Sequence, residues 1–301
     1  MVRTDPAGRA TPHVCIPYPA DMAEMLNPLA FIGAGNMAGA IITGGINAGL
    51  LDPSRIVVAD PDPAKREIAE SLGVRGCADA GEALDVLRSL EVETGGGQVV
   101  LAVKPQMLAD VAAVLGATLT ERRVVVSILA GTPSKKIRDA LGTNAAVVRT
   151  MPNTPAGIGR GMSAICVGAG AAPGDERVAE QMLGAVGEVV RIGESLMDAF
   201  TAVVGSGPAY VFYLAEAMTR AAVSVGFDPA TAAKIVEQTV AGSGELLVQS
   251  EVPADVLRVR VTSKGGTTFA ATTSLDESKV MDAFVRAITA ARDRGRGLAE
   301  M

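Results

Sequence analysis

Phe31-Ile32-Gly33-Ala34-Gly35-Asn36-Met37-Ala38-Gly39 is the stretch on which the fold turns. A short apolar run meets glycines spaced G-x-G-x-x-G/A, and the residues beyond them open a helical pattern. The first glycine permits a tight turn, the second lets backbone approach a pyrophosphate, and Ala38 or Gly39 lets helix and sheet pack closely. Spacing alone is weak, since a plain strand-turn-helix can carry it. The strand before and the helix after are the context the motif requires, so Ile32 to Met37 are read as a dinucleotide-binding loop.

Outward from this loop, short apolar segments alternate with helical ones. Strands are expected near residues 29–33, 55–60, 98–103, 123–129, 145–150, 162–167 and 188–192, with helices between them, for instance over 36–48, 63–72 and 105–115. That alternation predicts an α/β fold, a Rossmann-type doubly wound parallel sheet. After about Ser195 the strand signals stop. Helices are expected over 208–225, 229–249, 253–261, 267–274 and 277–298, several opening with Pro, Asp, Ser or Thr. Ala209-Tyr210-Val211-Phe212-Tyr213-Leu214-Ala215 is apolar on more than one face, more than a small bundle hides alone, so a homodimer is expected to bury the rest. The chain thus divides into a disordered extension (1–28), a dinucleotide-binding domain (29–195) and an all-α substrate and dimerisation domain (196–301).

Composition removes several classes of function. The chain has 301 residues, 49% of them hydrophobic, enough for two domains with cores. A net charge of −6, three tyrosines, six phenylalanines and no tryptophan argue against nucleic acid, which calls for a basic face and stacking rings. Cys15, Cys77 and Cys166 are odd in number and widely spaced, supporting neither a disulfide framework nor a zinc site, and a reducing cytoplasm is the expected location. Residues 1–27 lack the apolar core of a signal peptide, and no long uncharged apolar stretch predicts a membrane span. Met22 or Met25 is as good an initiator as Met1. The sole histidine, His13, lies in the extension, so imidazole acid-base chemistry, His-ligated metal and Ser/His triads are not expected.

Four further segments carry chemistry. Asp60 ends the second strand, where an acidic residue bonds a ribose 2′-OH and disfavours a 2′-phosphate; this favours NADH. Lys65 and Arg66, one turn on, offer cations to a phosphate or simply face solvent, and the choice between NADH and NADPH stays open. Ala102-Val103-Lys104-Pro105 closes another parallel strand at the cofactor crevice, with Lys104 placed either towards ligand anions or on the surface. Asn153, in Thr150-Met151-Pro152-Asn153-Thr154-Pro155, either donates to a ligand or stabilises a turn. In Ser263-Lys264-Gly265-Gly266-Thr267-Thr268, glycines after a small hydroxylic residue let N–H groups converge on an anion, and the threonines add hydroxyls; a plain helix cap is the alternative. A dinucleotide loop with such an anion site suggests a redox enzyme acting on a small carboxylate. Without histidine, hydride transfer to an imine that enters already protonated is less demanding than carbonyl reduction.

Ile32-Gly33-Ala34-Gly35-Asn36-Met37, Ala102-Val103-Lys104-Pro105, Met151-Pro152-Asn153-Thr154-Pro155, Gly205-Ser206-Gly207-Pro208-Ala209-Tyr210 and Ser263-Lys264-Gly265-Gly266-Thr267-Thr268 resemble the pyrroline-5-carboxylate reductase family, in the family's order and over nearly all of residues 29–298. The resemblance implies NADPH- or NADH-dependent reduction of the cyclic imine of 1-pyrroline-5-carboxylate to L-proline. It implies a helical domain that interlocks with a second subunit, with dimers assembled into a ring such as a decamer. It places the substrate carboxylate on N–H groups of Gly265, Gly266 and Thr267, the ring nitrogen on Thr268, and supporting roles on Ser263 and Glu251. Two positions depart from the family pattern: Lys264 stands at a usual proline, and Asp60 at the small polar residue common in NADPH-preferring members. Two alternatives compete: a β-hydroxyacid dehydrogenase, for which Lys234 is the placed helix lysine, and a dinucleotide-binding regulator without turnover.

Overall fold

The computed structural model describes residues 26–94 and 96–299. The stretch expected as an extension therefore lies outside the described residues up to residue 25. Leu26, by contrast, is buried, and its N–H donates to Leu50 O at 3.2 Å, so the ordered domain begins before Leu29.

One eight-stranded sheet organises the first part of the chain. Its strands are β1 (Leu29–Ile32), β2 (Ile56–Ala59), β3 (Arg75–Cys77), β4 (Gln98–Leu101), β5 (Arg123–Ser127), β6 (Ala145–Met151), β7 (Gly161–Val167) and β8 (Gly187–Arg191), in the order β3-β2-β1-β4-β5-β6-β7-β8. Helices α1 (Asn36–Asn47), α2 (Pro63–Glu70), α3 (Ala80–Thr94), α4 (Leu108–Thr118), α5 (Ser134–Leu141) and α6 (Arg177–Gly184) alternate with them. Two buried clusters cover the two faces: Leu84, Leu87, Leu115 and Ile137 pack with one, Ile41, Ile42, Met182 and Leu183 with the other. Such strands, buried on both sides, read as continuous Val/Ile/Leu runs without alternation.

Two features differ from the expected parallel sheet. Strand β3, Arg75-Gly76-Cys77, has no apolar run and was not expected; it pairs with β2 at the sheet edge. Strand β7 runs antiparallel to β6. The link between them, residues 152–160, contains only the 3-10 turn Thr154–Ile158, and a chain that short cannot make the crossover a parallel pair needs.

Local chemistry starts the helices where the sequence indicates. Pro63 follows Asp62, whose carboxylate accepts the Ala64 N–H at 3.0 Å, and Asp228 accepts from Ala230 and Thr231 at 3.1 Å ahead of Pro229. Glu194 plays a longer-range part. Its two carboxylate oxygens accept the Ser134 N–H and hydroxyl, each at 2.6 Å, at the start of α5. Buried Arg149 donates to Glu194 at 3.4 Å and pairs with Asp198 at 3.5 Å, tying β6 to the segment that leaves the sheet.

Contacts divide the chain at Gly205: a second compact unit runs from Ser206 to Ala291, and the chain from Arg292 groups with the first. Short α7 (Met197–Phe200) and a π-helical turn, Thr201–Gly205, end the first part. The second unit is built from α8 (Gly207–Ser224), α9 (Pro229–Gln249), α10 (Ala254–Arg260), α11 (Thr267–Glu277) and the start of α12 (Val280–Ala299). Only Ala232 and Val236 are fully buried in it among the described residues, whereas Phe212, Tyr213 and Val248 are each about two-thirds or more exposed. Within the described residues no helix is long and apolar enough to cross a membrane.

Candidate functional site

The sheet order reverses between β1 and β4, and a cleft of about 430 Å³ opens at the carboxyl ends of these strands and β2. In an open α/β sheet that is where a ligand binds. Gly33 makes the turn out of β1 with φ of +106°, and a Cβ there would stand 2.6 Å from Ala102 O, so only glycine fits. Its N–H donates to Ala59 O at 2.7 Å, and Ala102 N–H donates to Ile32 O at 2.8 Å. Gly35 borders open space instead: a Cβ built there would meet nothing within 4 Å. Helix α1 begins at Gly35 without a side-chain cap or an acidic residue in its first turn, leaving early N–H groups to an anion. These features fit a dinucleotide pyrophosphate.

Most of the expected cofactor residues gather here. Ile32, Gly33, Gly35, Asp60, Ala102, Val103 and Lys104 line the cleft. Ala34 and Met37 are half-buried against the core, and Asn36 is exposed at the start of α1. Pro105 turns away to a neighbouring cavity walled by α4 and α5. Asn153 has two partners within the protein: its Nδ2 donates to Val204 O at 3.3 Å and its Oδ1 accepts the Met162 N–H at 2.9 Å. These bonds brace the segment after β6 against two distant stretches of backbone and leave one Nδ2 hydrogen for a further acceptor.

Asp60 also differs from a free ribose acceptor. Its carboxylate is almost wholly buried and takes the Ala34 N–H on Oδ2 and the Asp62 N–H on Oδ1, both at 3.0 Å. Burial works to raise its pKa, but the two N–H donors and Lys65 outweigh that and hold it below the ordinary 3.8. Arg66 is turned onto backbone, donating to Asp60 O at 2.7 Å and Pro61 O at 3.1 Å, so of the two expected phosphate partners Lys65 alone faces the cleft. Sequence reading missed Met107, Asp110, Val111 and Val114 in the cleft lining, and also Ala78, Asp79 and Ala80. The last three follow β3, whose three residues carry no strand signal, so nothing local marked them.

In the helical unit, Ser263, Gly265, Gly266, Thr267 and Thr268 come together at the start of α11. Gly266 occupies the N-cap with no side-chain cap and no acidic residue in the first turn, and its N–H donates to Ser263 O at 3.0 Å. Gly265 adopts φ of +72°, a left-handed turn that suits glycine. The N–H groups of this eleven-residue helix start are thus open to an anion, and half-buried Thr268 sits in the first turn. Glu251 is exposed in the bend before α10, and Lys234 is exposed on α9. No group of three or more His, Cys, Asp or Glu suited to a metal occurs among the described residues.

Comparison with known proteins covers both parts. Residues 194–298 match the family described as pyrroline-5-carboxylate reductase dimerisation, and residues 28–131 that described as NADP oxidoreductase, coenzyme F420-dependent. The pyrroline-5-carboxylate reductase of Methanosarcina acetivorans is 36% identical over 271 residues, 90% of this chain and 97% of that protein. That of Pseudomonas aeruginosa is 39% identical over 275 residues, again 90% and 97%. Among solved structures, a pyrroline-5-carboxylate reductase from Coxiella burnetii aligns with a TM-score of 0.80 at 33% identity, covering 91% of this chain and 99% of that one. The helical unit is therefore a dimerisation domain, and the likeness runs through fold, glycine loop and Ser263–Thr268 segment alike: the chain belongs to the pyrroline-5-carboxylate reductase family.

Proposed function

We propose that this protein is an NAD(P)H-dependent oxidoreductase that reduces the cyclic imine of 1-pyrroline-5-carboxylate to L-proline. The observation that carries the reading is the coexistence of an open dinucleotide cleft at β1/β4 with an uncapped, glycine-led helix start at α11, in a chain with full-length reductase relatives. Bound NAD(P)H supplies the hydride that reduces the imine carbon. Ile32 to Asn36 and Ala102 to Lys104 hold the cofactor, mainly by backbone. Backbone N–H groups of Gly265 and Thr267 take the substrate carboxylate, with that of Gly266 joining them if it leaves Ser263 O, and Ser263 and Glu251 have supporting roles. The Thr268 hydroxyl orients the protonated ring nitrogen, which keeps its proton as the C=N bond becomes a C–N bond. No further general acid is needed, in keeping with the absence of any histidine beyond His13.

The working unit in this reading is a homodimer, and dimers associate into a larger ring such as a decamer; the support is the apolar surface that α8 and α9 leave uncovered. The cytoplasm is the proposed location, a reducing setting in which the buried thiols of Cys77 and Cys166 persist. The test is loss of nicotinamide absorbance when purified protein meets pyrroline-5-carboxylate, with NADH and NADPH in parallel. Oxidation of either cofactor with stoichiometric proline supports the reading. Binding without consumption would replace it with a nucleotide-binding regulator.

A further inference from the structure

Asp60 borders the cleft, but its carboxylate is largely engaged within the protein. Ala34 N–H and Asp62 N–H each donate at 3.0 Å, to different oxygens, and Lys65 Nζ stands 3.4 Å from one and 3.5 Å from the other. A carboxylate presents about four acceptor positions; the two N–H groups fill one on each oxygen, and the ammonium stands over what remains. Only 8% of the side chain is exposed, against 46% for Lys65. A ribose hydroxyl approaching this group would compete with the ammonium for it.

What the carboxylate joins is informative. Ala34 lies between Gly33, wedged against Ala102, and Gly35, whose side-chain position is open space, so the small packed side chain of Ala34 is helped at this point by the hydrogen bond from its N–H to Asp60. Asp62 caps α2, and Arg66 from the first turns of α2 donates back to Asp60 O at 2.7 Å. One buried carboxylate thereby couples the glycine-rich loop after β1 to the turn after β2.

We propose that Asp60 is a positioning residue that clamps the glycine-rich loop to the start of α2, so that it raises affinity for both nicotinamide nucleotides alike instead of choosing between them. The proposal rests on reading this cleft as the cofactor site. It reverses the expectation that the residue at the end of the second strand selects against a 2′-phosphate.

The experiment uses the full-length protein with Asp60→Asn and Asp60→Ala, checked for fold by circular dichroism and thermal unfolding. NADH and NADPH are titrated separately by calorimetry. Loss of a charge-assisted N–H contact should weaken both nucleotides by about tenfold or more, while the ratio of the two affinities moves by less than about threefold. Exchange of the Ala34 amide hydrogen should quicken in Asp60→Asn, and cofactor KM should rise by more than kcat falls, with KM for the imino acid little changed. Should Asp60→Ala fail to fold, the near-isosteric Asp60→Asn decides. Tighter NADPH binding with weaker NADH binding would overturn the clamp and restore the ribose reader, and so would two unchanged affinities. If the wild-type protein binds neither nucleotide, the reading of the cleft fails, and the clamp with it.

Discussion

Two residues concentrate what is testable at the smallest scale. Gly33 is held by sterics: its positive φ and the carbonyl of Ala102, 2.6 Å from any added Cβ, leave no soft neighbour to yield. Gly33→Ala should destabilise the fold by about 2 to 4 kcal/mol, from backbone strain plus overpacking, and abolish nucleotide binding. Chemical denaturation and calorimetric titration would show it; a variant of normal stability and affinity would refute the argument. Thr268 is held by chemistry. It lies in the first turn of α11, its own carbonyl accepting the Thr272 hydroxyl at 3.0 Å, so the helix backbone fixes where it stands. Thr268→Val should lower kcat by about 10- to 1000-fold, the range for one oriented hydrogen bond to the reacting group, and Thr268→Ser should keep much of the activity. Near-normal turnover of the valine variant would remove the role.

Elements are joined in this chain by carboxylates reaching across loops. Asp175 ties the approach to α6 onto Arg122, just before β5, and accepts the Ala172 N–H at 2.7 Å. Burial tends to raise its pKa, yet Arg122 and that N–H outweigh burial and hold it below 3.8; Asp60 is shifted in the same direction. A carboxyl with a lowered folded-state pKa binds fewer protons folded than unfolded in acid, so folding stability rises with pH across the window. The contribution of both groups is complete above the ordinary carboxylate range, and it is lost as pH falls below about 3.8 through their lowered values. Urea midpoints should therefore drop between pH 6 and pH 3, and Asp175→Asn should flatten that drop. An identical acid slope in the variant would show that the Arg122 pair contributes nothing to folding.

At the scale of the molecule, the helical unit decides the form in which the protein exists. Val211, Phe212, Tyr213 and Leu214 are consecutive on α8 and all exposed, and Leu246, Leu247 and Val248 repeat the pattern on α9. Exposed apolar surface on this scale marks an association site. Light scattering at micromolar concentration should give at least twice the 30.6 kDa chain mass, and charged substitutions such as Phe212→Glu should weaken assembly and activity together. A stable, active monomer would contradict this.

Local pattern was sufficient for much of this architecture. The glycine spacing at Gly33–Gly39, the apolar runs of seven of the eight strands and the Pro and Asp helix starts all act through neighbours in sequence, which is why they are legible there. The resemblance of Ser263–Thr268 to its family pointed to the uncapped helix start that α11 presents. Tertiary structure decided what depends on distant partners. The short, polar β3 is a strand only because β2 offers it a ladder, and β7 turns antiparallel only because its link is too short to cross over. Asn153 finds its two partners in Val204 and Met162, which lie 51 and 9 residues away in the chain. Asp60 is the sharpest case: its position in sequence suggests a ribose, and only the fold brings the Ala34 and Asp62 N–H groups and the Lys65 ammonium to its oxygens.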